Sequence, residues 1–152
     1  VMNRKLIKSY LFAIILLLCM PATALTQDDE ENGEFYYGFL SGAYEVIGRY
    51  PDSNETYTGK VILKKTHDTL EVIRNINNNT IKGMGKIDVV IADKIKVLRV
   101  TFTENKREYE VTYLINMDLD NYGRLTGYIY LKAGGTKKPG LEALFSDHVY
   151  KK

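Results

Sequence analysis

The residue that asks most of its surroundings is Arg74, which alternates in phase with Leu70, Val72 and Ile76. A guanidinium drawn in among such neighbours must find an acid, or lie near a strand end and snorkel out to water. Tyr44, Tyr57, Tyr109 and Tyr113 fall on the apolar phase of their own segments. A buried phenol needs a partner for its hydroxyl. In a polar-rimmed apolar pocket such groups orient a small molecule; in a filled core they reach backbone carbonyls or water instead. Glu142 is in phase with Leu144 and puts an acid on an otherwise apolar face.

Other chemistry-bearing residues are sparse. His67-Asp68 and Asp147-His148 are the only His–carboxylate neighbours, far apart in sequence, and two His do not make a zinc site. No G-x-S-x-G or comparable elbow supplies a nucleophile, so no catalytic residue is assigned and the chain reads as a non-enzyme. Asp118-Leu119-Asp120-Asn121-Tyr122-Gly123 imitates the opening of a calcium loop, but Ile129 stands where the bidentate acid belongs, and the segment reads as a hairpin turn. No metal or other cofactor is implied. Asn54-Glu55-Thr56 and Asn78-Asn79-Thr80 are glycosylation sequons that read here as turns.

The first residues are an address. Asn3-Arg4-Lys5 and Lys8 form a basic region, Leu11 to Leu18 is unbroken apolar, and Ala22-Thr23-Ala24 has small residues at the A-x-A positions. The apolar run ends at Pro21, short of the roughly 20 residues a spanning helix needs. Residues 1–24 therefore read as a cleavable signal peptide, and the protein as periplasmic or extracellular. Val1 before Met2 resembles a GTG start codon read literally, which suggests a bacterial gene. Membrane attachment would come only through an uncleaved signal or lipidation at Cys19, where Leu18 precedes the cysteine in place of a small residue. Cleavage after Ala24 removes Arg4, Lys5 and Lys8 from the 21 basic groups, leaving 18 against 19 acidic ones, net −1. Scattered Lys among Asp and Glu offers no phosphate-binding stripe, so nucleic acid is excluded as a partner.

These residues need a scaffold, and the pattern after the signal is one of strands. Residues 25–33 are acidic and polar and read as a flexible tether. Residues 34–152 form one domain, opening on the aromatic patch Phe35, Tyr36, Tyr37, Phe39 and Leu40, read as a short cap. From Gly42 onward, alternating runs near Ala43–Arg49, Tyr57–Lys65, Thr69–Ile76, Ile81–Val89, Ile95–Thr103, Arg107–Ile115, Arg124–Leu131 and Leu141–His148 are separated by turn residues. Tyr57, Val61 and Leu63 oppose Thr58, Lys60 and Lys64, and Tyr109, Val111, Tyr113 and Ile115 oppose Glu108, Glu110 and Thr112; Ile62, Ile73 and Leu114 sit on the wet side as exceptions. A sheet dry on one face, with no long helix to cover it, packs on itself or on another sheet. The fold class is all-β: a single up-and-down antiparallel β-barrel of about eight strands, or a two-sheet β-sandwich of the same strand count. Gly59, Gly83, Gly85 and Gly127 inside strand patterns suit the bends that closure requires.

Gly42-Ala43-Tyr44 resembles the G-x-W that opens the first strand of lipocalins and the G-T-W of avidins, with Tyr in place of Trp. Gly48 with Pro51-Asp52-Ser53, Tyr57-x-Gly59-x-Val61, Gly83-x-Gly85, Gly123-Arg124-Leu125-x-Gly127 and Gly140-x-Glu142-x-Leu144 resemble, in that order, small secreted bacterial proteins of unassigned activity. The resemblance implies a calycin-like barrel and brings no catalytic residues. By analogy with lipocalins, where an Arg closes the barrel over the first-strand aromatic, it also implies Glu142 as partner of Arg74. Two functions follow as expectations. One is a protein holding a small apolar or amphipathic ligand inside the barrel, with Tyr44, Tyr57, Arg74, Tyr109, Tyr113 and Glu142 lining it. The other is an interaction protein that meets a macromolecular partner through its outer wall or its Phe35–Phe39 patch.

Overall fold

The computed structural model describes residues 27–90, 95–115 and 123–147. The expected signal peptide with Cys19, residues 91–94, residues 116–122 with most of the expected Asp118–Gly123 turn, and His148 lie outside them. Helix α1 (Gln27–Leu40) precedes eight strands: β1 (Gly42–Arg49), β2 (Thr56–Lys65), β3 (Leu70–Ile76), β4 (Asn79–Val90), β5 (Ile95–Glu104), β6 (Arg107–Leu114), β7 (Arg124–Leu131) and β8 (Gly140–Ser146). Every strand pairs antiparallel with its sequence neighbours, and β1 also pairs with β8, which closes the barrel. Closure excludes the sandwich, because a sandwich leaves β1 and β8 as edges, and here their backbone groups satisfy each other.

Local chemistry makes the tight turns. Ile76 faces Asn79 and Glu104 faces Arg107, so two-residue loops join β3 to β4 and β5 to β6. Asn77 and Asn78 have φ of 49° and 64°, and Asn105 and Lys106 of 50° and 63°. Two successive positive φ values are the type I′ geometry whose twist matches a hairpin, and Asn tolerates it best among non-glycine residues.

The helix is longer than the short cap expected from the aromatic patch, and it runs through residues 27–33, read above as tether. That segment carries no apolar period, so nothing in its pattern announces a helix. From Gly33 onward the chain belongs to the barrel unit. There Leu40 and Tyr37 are buried in the same core as the strands and plug one end. The Ile87 amide donates to the Tyr37 hydroxyl oxygen at 3.2 Å, and Lys96 lies 4.5 Å from the Tyr36 ring. Phe35 and Phe39, one turn apart, stack at 6.0 Å on the outward side. Among the described residues no helix is long and apolar enough to cross a membrane.

Candidate functional site

Inward side chains from all eight strands form one core cluster. Two of its neighbours are charged: Arg74 at 1% and Glu142 at 3% exposure. Arg74 reaches across from β3 and grips Glu142 of β8 with both ends of its fork, Nη1 donating to Oε1 at 2.9 Å and Nη2 to Oε2 at 2.5 Å. The Tyr113 hydroxyl donates to Oε1 and the Tyr57 hydroxyl to Oε2. The carboxylate thus accepts four charge-assisted or phenolic hydrogen bonds, about as many as its lone pairs allow. The guanidinium also lies 4.2 Å from the centre of the Phe102 ring, a cation–π contact in a dry setting. Among the described residues its Nε has no hydrogen-bond partner.

Register explains how two tyrosines reach one acid. Tyr57, Gly48, Glu142, Gly127 and Tyr113 form a single cross-strand row running β2, β1, β8, β7, β6. Both immediate neighbours of Glu142 in that row are glycines. A Cβ on Gly48 would sit 2.4 Å from the Tyr57 phenol ring, and one on Gly127 would sit 2.9 Å from the Tyr113 ring and 2.5 Å from the Thr112 carbonyl oxygen. The missing side chains are the space through which the phenols lie flat and arrive at the carboxylate.

The electrostatics match this geometry. Burial alone would raise the Glu142 carboxyl, but the charge and hydrogen bonds of Arg74, helped by the two phenols, hold it below the ordinary carboxylate range. Arg74 is held charged by Glu142 against the opposing effect of burial. Burial, then the Glu142 charge, pushes Tyr57 and Tyr113 far above the usual phenol value. Each shift keeps its group in its present form: Glu142 and Arg74 charged, Tyr57 and Tyr113 neutral. The cluster is built to hold a fixed charge pattern, and it has no member poised to pass a proton at neutral pH.

The other two tyrosines named from the sequence stand apart. Tyr44 lies under the cap, its hydroxyl donating to the Leu40 carbonyl at 2.9 Å, and burial raises it to about 12. Tyr109 stacks on Phe102 at 5.3 Å near the opposite end. Tyr50, not singled out above, tilts over Tyr57 at 4.6 Å and donates to Glu104 at 3.1 Å, so it helps cover that end. Phe102 was also missed; its place beneath Arg74 depends on packing across the lumen, which no local pattern records. Among the described residues no three His, Cys, Asp or Glu side chains gather as metal ligands would.

A second feature lies on the outer wall. Ile47 of β1, Leu114 of β6, Tyr128 and Tyr130 of β7 and Leu141 of β8 are all about half exposed, and with Arg49, Thr56, Thr112 and Thr126 they line a hollow of about 680 Å³. That volume lies within the range of small-molecule sites. The outward positions of β7 and β8 are Arg124, Thr126, Tyr128 and Tyr130, then Leu141, Ala143 and Phe145, with one charge among them. Ion pairs stud β3 to β5, with Lys82–Glu71 and Arg99–Asp88, and reach the outward acids at the margins of this wall, with Lys60–Glu45 on β1 and Arg99–Glu110 and Lys132–Glu108 on β6. Apolar residues in the wet phase were the available signal, but only Leu114 of this set stood out in the sequence. Which of them share a wall depends on the closure of β8 onto β1.

The architecture is an eight-stranded antiparallel up-and-down barrel, compatible with a calycin-like fold. No family model and no curated protein matches the chain.

Proposed function

We propose that this is an exported, non-enzymatic binding protein of calycin-like type, and that its binding surface is the hollow on the wall formed by β1, β6, β7 and β8. The observation that carries this reading is the convergence of five half-exposed apolar side chains on a hollow whose lining has Arg49 as its one outward charged side chain. Such a patch gains by covering itself with a small apolar or amphipathic molecule. The lumen supports this role less well. Of the polar groups expected to orient a ligand there, Tyr57, Arg74, Tyr113 and Glu142 bind one another and Tyr44 binds the cap. Export rests on the basic, apolar and A-x-A sequence of residues 3–24, and sequencing the secreted form should find Leu25 at its start.

The test uses the neutral fluorophore N-phenyl-1-naphthylamine. The wild-type protein should enhance its emission saturably, and Tyr128→Lys and Leu141→Lys should abolish the effect while unfolding at the wild-type temperature. Equal binding by both folded variants would refute the assignment to this wall. A macromolecular partner is the second reading, favoured by the stacked, outward Phe35 and Phe39 rings, with Phe35 66% exposed. Crosslinking from position 35, and not from 128, would support it.

A further inference from the structure

Resting on that reading, the charge of the ligand can be derived. The lining of the hollow contains one cation, Arg49, and one acid, Glu142. Glu142 contributes only backbone there, because its side chain points into the barrel and is fully buried. Arg49 ends β1 half-buried, its Nη1 donating to the Ser53 carbonyl and its Nη2 to the Pro139 carbonyl, both at 3.2 Å. These two neutral acceptors fix the guanidinium in place without cancelling its charge. Among the described residues the ion pairs engage Lys60, Lys65, Arg74, Lys82, Arg99 and Lys132, and none involves Arg49. A preorganised cation without a carboxylate, at the border of an apolar floor, is a site for an anion attached to an apolar body.

Register sets the direction of that body. Thr56, Arg49, Leu141, Tyr128 and Thr112 form one outward cross-strand row, and Ile47, Ala143, Thr126 and Leu114 belong to the same wall. From Arg49 to Thr112 is three strand spacings, about 14 Å, a path that passes over Leu141 and the Tyr128 ring. We propose that the hollow takes a single-chain anionic amphiphile, with its head at Arg49 and its alkyl chain lying across β8 and β7. The threonine hydroxyls at Thr56, Thr112 and Thr126 border this path and leave its middle apolar.

The experiment compares three twelve-carbon chains that differ only in head group, each below its micelle concentration, for displacement of N-phenyl-1-naphthylamine from the purified wild-type protein. Dodecanoate should displace at about a tenfold lower concentration than dodecanol, the scale of one hydrogen bond to a charged group, and dodecyltrimethylammonium should be the weakest. The preference should shrink with added salt. Arg49→Gln should level dodecanoate with dodecanol. Because Arg49 also ties down the Ser53 and Pro139 carbonyls, the wild-type comparison decides the matter if that variant unfolds. Equal displacement by dodecanoate and dodecanol overturns the anionic ligand, and it leaves the hollow standing if Tyr128→Lys still abolishes binding of the fluorophore. A fluorophore that does not bind the wild type at all removes both.

Discussion

Replacing Glu142 with Gln removes the carboxylate that balances Arg74 while keeping nearly the same shape. The guanidinium stays where it is, its side chain only 2% exposed, and loses a two-pronged partner at 2.9 and 2.5 Å. An amide can accept through one oxygen, so one prong and one phenol lose an acceptor, and the positive charge is left uncompensated. Breaking a buried pair in this way costs roughly 3–5 kcal/mol, a large share of the roughly 5–15 kcal/mol that holds a domain together. For a domain of this size that is a fall in Tm of roughly 10–20 °C. Urea unfolding followed by circular dichroism gives the free energy directly. Repeating it against pH tests the cause. The Glu142 carboxyl is held below its ordinary 4.5 in the folded chain, so its contribution is complete above that value and fades as the pH falls beneath it. The gap between wild type and Glu142→Gln should be level near neutrality and should narrow in acid. A loss under about 1 kcal/mol at neutral pH, or a gap that does not narrow, would refute the reasoning, because surface pairs are worth that little.

The row of Tyr57, Gly48 and Glu142 predicts that Gly48→Ala destabilises by about 1–3 kcal/mol, the usual scale of overpacking. Most of that loss should disappear in a Tyr57→Leu background, which removes the ring that the new methyl would strike; additive losses in the double variant would contradict the packing argument. In alkali, Tyr44, Tyr57 and Tyr113 are raised above the unfolded-state value of 10.0 chiefly by burial, so the stability from keeping them neutral is present below that pH and lost as the pH rises above it. Tyrosinate absorbance should show part of the 12 tyrosines ionising only as the fold collapses. Ionisation of all of them in a chain that keeps its circular dichroism spectrum would contradict this.

Much of the barrel is legible along the chain, for reasons that are local. Side-chain period in a strand is two, so the dry and wet faces of β2 and β6 follow from Tyr57-x-x-x-Val61-x-Leu63 and Tyr109-x-Val111-x-Tyr113 without knowledge of their neighbours. The loop at Asn77-Asn78 follows from residues that accept positive φ, and Asn105 marks the other, where Lys106 takes the same geometry without a preference for it. Arg74 stands out for the same reason, as a charge on a dry phase. The length of α1 was not legible, because a polar segment without a stripe looks the same whether helical or not.

What the chain order cannot contain is the identity of neighbours across the closure. Gly48, Gly127 and Glu142 read separately as two strand glycines and an acid. They become a seat for two phenols only when β8 inserts between β1 and β7 in one register, since a one-residue slip would turn Glu142 outward. The hollow has the same origin. Ile47, Leu114, Tyr128, Tyr130 and Leu141 come from four strands, and only the tertiary structure sets them side by side beside Arg49. Alternation decides which face of a strand is dry, because that is a property of the backbone pleat. Pairing decides which dry and wet residues meet, because that depends on how the whole sheet closes.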